Sequence, residues 1–122
     1  MQAFLSQHTI AVVGVSTSGG KYGNIVMSDL ISKGYIVYGI NAKGGKSGAH
    51  VLYPTLADTP EKPDLVVFVV PPAITENLLD TVKNLNIDKV WMQPGAESEL
   101  AIDYCLKNNI SIIHDRCIMI ES

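Results

Sequence analysis

The residues best suited to chemistry in this chain fall in five short clusters, each directly after a run of apolar residues. The first is Gly14-Val15-Ser16-Thr17-Ser18-Gly19-Gly20-Lys21-Tyr22-Gly23-Asn24. Small residues let backbone amides approach an anion, and a helix that starts after such a loop adds its positive N-terminal end. Ser16 and Ser18 can donate hydroxyl hydrogen bonds, and Lys21 can supply a charge. That chemistry is phosphate binding; the competing reading is an ordinary strand-to-helix turn, where glycines are common anyway. Two sharper motifs fail. A Walker loop needs GxxxxGK followed by Ser or Thr. Here Gly14 to Lys21 is one residue too long and Tyr22 follows the lysine, while Gly45-Lys46-Ser47 has Ile40 where the first glycine belongs. The dinucleotide pattern GxGxxG fails because Ser16 replaces its second glycine.

The second cluster, Asn41-Ala42-Lys43-Gly44-Gly45-Lys46, has two lysines and no carboxylate. An NAD site places Asp or Glu at this point for the ribose hydroxyls. Lysines suit a phosphorylated ribose, so NADP or coenzyme A fits better than NAD; the alternative is a solvated lysine loop. The third, Val70-Pro71-Pro72, makes a rigid lip without N–H donors, against which a base or a thin ligand arm can lie, or simply stops a strand. In the fourth, Trp91-Met92-Gln93-Pro94-Gly95, Gln93 can hydrogen-bond an amide-bearing ligand and Gly95 permits close approach, while Trp91 reads as core. The fifth, His114-Asp115-Arg116-Cys117, offers a nucleophile with a base. A reactive thiolate needs a lowered pKa and access, which proximity in sequence does not supply, so an inert thiol is the preferred reading.

The elements that must position these clusters alternate between strand and helix. Thr9–Gly14, Tyr35–Ile40, Asp64–Val70, Lys89–Met92 and Ile110–Ile113 read as strands, and His50–Tyr53 as a short edge strand. Helices are predicted over Asn24–Lys33, Ala73–Leu85 and Glu97–Lys107. Their inward faces are expected to be Val26/Met27/Leu30/Ile31, Ile74/Leu78/Val82/Leu85 and Leu100/Ala101/Tyr104/Cys105. Asn41 to Gly48 reads as irregular. Strands apolar on both faces and separated by helices mean a mostly parallel sheet covered on both sides, a doubly wound α/β fold. Its ligands belong outside the carboxyl ends of the strands, at the switch point, where all five clusters fall.

Composition bounds the rest. At 122 residues, 47% hydrophobic and 17% charged, the chain reads as one folded domain over residues 1–122. Nine basic residues against twelve acidic ones leave −3, without the basic stripe that nucleic acid requires. Two cysteines without CxxC spacing fit a reducing, cytoplasmic setting rather than zinc or a disulfide framework. No secretory signal is visible in Met1 to Gln7, and the longest apolar run, Leu65 to Val70, is far short of the ~20 residues a membrane helix needs. No membrane association is expected.

In series these segments resemble the small CoA-binding proteins with a Rossmann-like domain, similar to the CoA-binding domain of the succinyl-CoA synthetase α subunit. The residues that carry the likeness are Gly14-x-Ser16 with Lys21 and Gly23, Gly34-Tyr35, Asn41, Tyr53-Pro54-x-Leu56, Val70-Pro71-Pro72, Trp91-x-Gln93-x-Gly95 and Asp115-Arg116-Cys117. The resemblance implies a coenzyme A or acyl-CoA ligand and no catalytic domain in this chain. It implies that Gly14, Val15, Ser16, Ser18, Lys21 and Tyr22 form the phosphate loop. Asn41 and Lys43 would lie near the ribose and its 3′-phosphate. Val70, Pro71 and Pro72 would flank adenine and pantetheine, with Gln93 and Gly95 near the arm. One departure is Ala42, where the family usually has proline after the asparagine. The competing readings are an acyl-CoA transferase or thioesterase-like enzyme using Cys117 or His114, and an NAD(P)-binding sensor.

Overall fold

A computed structural model describes residues 8–122. The expectation concerning Met1 to Gln7 lies outside the described residues. In chain order the elements are β1 (Thr9–Val13), α1 (Tyr22–Ser32), β2 (Ile36–Ile40), β3 (Lys46–Ser47), β4 (His50–Tyr53), a 3₁₀ turn (Leu56–Asp58), β5 (Leu65–Phe68), α2 (Pro72–Asn84), β6 (Lys89–Met92), α3 (Glu99–Lys107), β7 (Ser111–Ile113) and α4 (Ile118–Glu121). The strands form one sheet in the order β3-β4-β2-β1-β5-β6-β7. All neighbours pair in parallel except β3, which runs antiparallel to β4. This two-residue strand lies inside the stretch expected to be irregular, and it displaces β4 from the edge. Four residues of α4 also escaped the periodicity, being too few to show one.

Both faces of the sheet are covered, as continuous apolar strands require. Ile10, Val12, Leu65, Val67 and Trp91 pack against Val26, Met27 and Leu30 of α1 and Ile118 of α4. Ala11, Val66, Phe68, Val90 and Met92 pack against Leu79 and Val82 of α2 and Ala101 and Cys105 of α3. Two helix faces match expectation except at one residue each, since Val82, Ala101 and Cys105 are buried and Leu78, Leu85 and Tyr104 pack against the core. In α2 the buried positions are Thr75, Leu79 and Val82, while Ile74 is 44% exposed. In α3 Leu100 is 66% exposed, although Ala101 and Cys105 are inward. Each helix lies against a twisted sheet, so its buried stripe is set by the crossing geometry and not by the apolar count alone.

Register sets where the loops meet. Val13 is level with Ile40 on one side and Phe68 on the other, and Phe68 is level with Met92. The residues that follow, Gly14, Asn41, Val69 and Gln93, therefore share one end of the sheet. From β1 the chain proceeds to β2 on one side, then crosses back to β5 on the other. The switch point of the winding lies between the ends of β1 and β5.

Candidate functional site

Two hollows open at this end of the sheet and share Val70 as a wall. The inner one is about 470 Å³ and is walled by Gly14, Val15, Ser16, Asn41, the Pro54–Leu56 segment and α2. The outer, more open groove is about 450 Å³ and is lined by Tyr22, Val70, Pro71, Pro72, Pro94 and Gly95 among others. The α2 wall consists of Ile74, Asn77, Leu78 and Thr81. These residues recur at helical spacing on one face; Leu78 also packs against the core as expected, whereas Ile74, expected inward, is exposed.

The first loop is held by close backbone packing. Gly14 has φ +113°, and a Cβ there would lie 2.3 Å from the carbonyl oxygen of Val69. A Cβ on Gly23 would lie 2.1 Å from the carbonyl oxygen of Gly14, so α1 begins almost in contact with the loop it follows. The N–H groups of Gly14 and Val15 both donate to the carbonyl of Ile40, at 3.2 and 3.3 Å.

Two asparagines brace the loops from behind. Asn24 is 8% exposed. Its Oδ1 accepts from the Ser16 N–H at 3.1 Å, and its Nδ2 donates to the Ser16 carbonyl at 2.8 Å and to Ser47 Oγ at 2.9 Å. Asn41 Nδ2 donates to the Val15 carbonyl at 2.9 Å, and its Oδ1 accepts from the Lys43 N–H at 2.8 Å. Asn41 thus lines the inner hollow with its amide already committed to joining the first and second loops. The Ser18 N–H donates to Ser16 Oγ, whose hydroxyl also pairs with Ser18 Oγ at 2.8 Å.

These bonds decide which backbone groups are already engaged within the protein. The amides of Gly14, Val15, Ser16 and Ser18 are spent inside the protein, so they organise the loop and do not present it. The free donors are those of the first turn of α1, where helix geometry leaves Tyr22, Gly23 and Asn24 without intrahelical partners. That turn has no side-chain cap and no acidic residue, whereas α3 is capped by Ser98, which accepts from the Ala101 N–H at 3.0 Å. Lys21 at the N-cap position of α1 and Lys43 beyond β2 are exposed and line neither hollow.

Gln93 departs most from expectation. It is fully buried, and it faces neither hollow. Its Oε1 accepts from the Ile118 N–H at 2.7 Å, and its Nε2 donates to the Tyr22 hydroxyl at 2.9 Å and to Cys117 Sγ at 3.4 Å. The amide expected to meet a ligand is engaged at both ends by the protein. Trp91 is fully buried, in agreement with its reading as core, and donates from Nε1 to the Arg116 carbonyl at 2.8 Å.

The two thiols differ. Burial pushes Cys105 up to about 11. Burial also raises Cys117, but hydrogen bonds from Tyr22, Gln93 and the backbone of Met119 and Ile120 outweigh it and leave the thiol below its ordinary pKa. The same pairing with Cys117, with partial burial, raises the Tyr22 phenol. Cys117 is bonded to Tyr22 and Gln93, whereas His114 Nδ1 faces Asp115 Oδ2 at 2.7 Å. Neighbours in sequence, His114 and Cys117 do not form the base–nucleophile pair weighed above. Among the described residues no His, Cys, Asp and Glu group could hold a metal ion, and no helix is long and apolar enough to cross a membrane.

The sheet, its covered faces and the crevice at the switch point define a doubly wound α/β domain of the Rossmann-like class. Within that class the chain belongs to the CoA binding domain family, whose model matches residues 8–122. Over 103 residues it is 30% identical to ADP-forming acetate–CoA ligase I of Archaeoglobus fulgidus, covering 84% of this chain and 15% of that protein. Over 86 residues it is 30% identical to the ADP-forming acetate–CoA ligase I subunit alpha of Pyrococcus furiosus, covering 66% of this chain and 19% of the relative. The chain therefore spans less than a fifth of the length of these ligases. A solved structure of a conserved hypothetical protein from Pyrococcus furiosus superposes with a TM-score of 0.88 at 36% identity, over 94% of this chain and 99% of that one.

Proposed function

We propose that this chain binds coenzyme A or an acyl-CoA in the two-part crevice, with no catalytic group of its own. The observation that carries the reading is the start of α1: an uncapped, acid-free first turn that begins at Tyr22, which lines the outer groove, beside a loop that Asn24 and Asn41 already hold. Such a turn is a ready anion site, and the diphosphate of the ligand would meet the amides of Tyr22 to Asn24. Lys21 and Lys43 supply charge from the rim toward the phosphates, the 3′-phosphate included. Gly14, Val15, Ser16 and Asn41 wall the space for the adenosine. Val70, Pro71, Pro72 and Gly95 give an uncharged track for the pantetheine arm. Membership of the CoA binding domain family supports the same ligand, and a reducing cytoplasm suits two free cysteines.

Thermal unfolding with CoA, dephospho-CoA, NADP and NAD tests this. A ligand at a hundred times its Kd adds about 2.7 kcal/mol, a shift of roughly 10 °C for a domain this size. CoA is expected to produce that shift and dephospho-CoA a smaller one. A response to NAD or NADP alone, or to none of the four, overturns the reading.

A further inference from the structure

We propose that Gln93 is the positioning residue of the outer groove, and that the Tyr22 ring it holds selects ligands that carry an uncharged arm beyond their nucleotide. This rests on the coenzyme A reading and deepens it. Tyr22 is the first residue of α1 and 43% exposed, so its ring forms a groove wall only if something fixes its direction. The buried Gln93 does so. Its Oε1 is oriented by the Ile118 N–H, which leaves Nε2 to donate to the Tyr22 hydroxyl at 2.9 Å. The hydroxyl also pairs with Cys117 Sγ at 3.3 Å, which holds the ring at a second point.

Pro94 and Gly95, which also line the groove, follow Gln93 directly in the chain. A single side chain therefore ties Tyr22 to the strand end that supplies Pro94 and Gly95. Among the described residues none that lines this groove is charged, so it suits methylene and amide groups and disfavours a further phosphate or carboxylate. That is the chemistry of a pantetheine-like arm.

The experiment is calorimetric titration of CoA and of adenosine 3′,5′-bisphosphate, which has the nucleotide but no arm, into the whole chain and its variants. In Tyr22→Ala and Gln93→Leu, CoA affinity is expected to fall about tenfold, with bisphosphate affinity unchanged within about twofold. Tyr22→Phe keeps the ring but loses the anchor, and combined with Gln93→Leu it is expected to be no worse than either alone, because both remove the same bond. A role for Gln93 in stability only would lower the melting temperature while leaving the ratio of the two affinities as it was, and that result overturns the proposal. Unchanged CoA binding in Tyr22→Ala also overturns it. If the unaltered chain binds bisphosphate and CoA equally, the arm makes no contact and the proposal falls while the nucleotide site stands. If it binds neither, the coenzyme A reading itself fails and takes this inference with it. Should Gln93→Leu not fold, the two Tyr22 variants, at an exposed position, decide.

Discussion

Replacing Asn24 by alanine isolates the device that holds the first loop. The side chain makes three hydrogen bonds, to the N–H and carbonyl of Ser16 and to the hydroxyl of Ser47, and is almost fully buried. At about 1 kcal/mol net for each bond, their loss costs about 3 kcal/mol. Alanine is the better helix former, which returns about 0.5 kcal/mol. The balance is about 2.5 kcal/mol, or roughly 10 °C in melting temperature for a domain of this size. Urea unfolding should show the midpoint falling with the slope unchanged, since no large surface is newly exposed. CoA affinity should fall as well, because the released Ser16 loop no longer stands fixed beside the first turn of α1. Asn24→Asp sharpens the test. It keeps the acceptor for the Ser16 N–H but sets a carboxylate oxygen against the Ser16 carbonyl and a negative charge where the phosphates would lie, so its loss of affinity should exceed that of Asn24→Ala. A stability change under about 1 kcal/mol in Asn24→Ala, or tighter CoA binding in Asn24→Asp, would refute the reasoning.

Gly14→Ala must separate the new Cβ from the Val69 carbonyl oxygen by at least 3.0 − 2.3 = 0.7 Å, at a φ of +113°. It should destabilise the fold by about 3 kcal/mol or more, read from the same urea curves. In pH-dependent alkylation of the native chain Cys117 should react, with its midpoint below that of a free thiol, and Cys105 should stay protected. Tyr22→Phe removes a hydrogen bond that favours the thiolate and should move the Cys117 midpoint upward; a midpoint that does not move counts against the bond. Cys105 keeps its proton in the folded state up to about pH 11, so its contribution to stability is complete below the ordinary thiol pKa and is lost as pH rises from there through about 11. Cys105→Ala should flatten the alkaline fall in urea midpoint, and an identical slope in variant and parent would contradict this.

What the sequence alone determined was the alternation and its consequence. Thr9–Val13, Ile36–Ile40, Leu65–Phe68 and Lys89–Met92 are legible as strands because each is a short apolar run closed by a turn residue. Parallel strands joined by helices then place every following loop at one end of the sheet, so the location of the crevice and most of its wall, from Gly14 to Ser16 and from Val70 to Pro72, followed from chain order. Tertiary structure decided the direction in which the polar side chains act. Gln93 and Tyr22 are 71 residues apart, and Asn24 and Ser47 are 23 apart. Their bonds depend on strand register and helix placement, which no local spacing encodes. For the same reason the sequence shows Asn24 only as the start of a helix, offers Gln93 as a ligand contact and reads Ile74 as core. An amide can face a ligand or its own protein, and the residue type is the same in both cases. Only the packed positions of β6, α1 and α4 commit Gln93 to the protein, because a buried amide lowers its free energy by filling both of its hydrogen-bonding groups wherever the fold brings partners within reach.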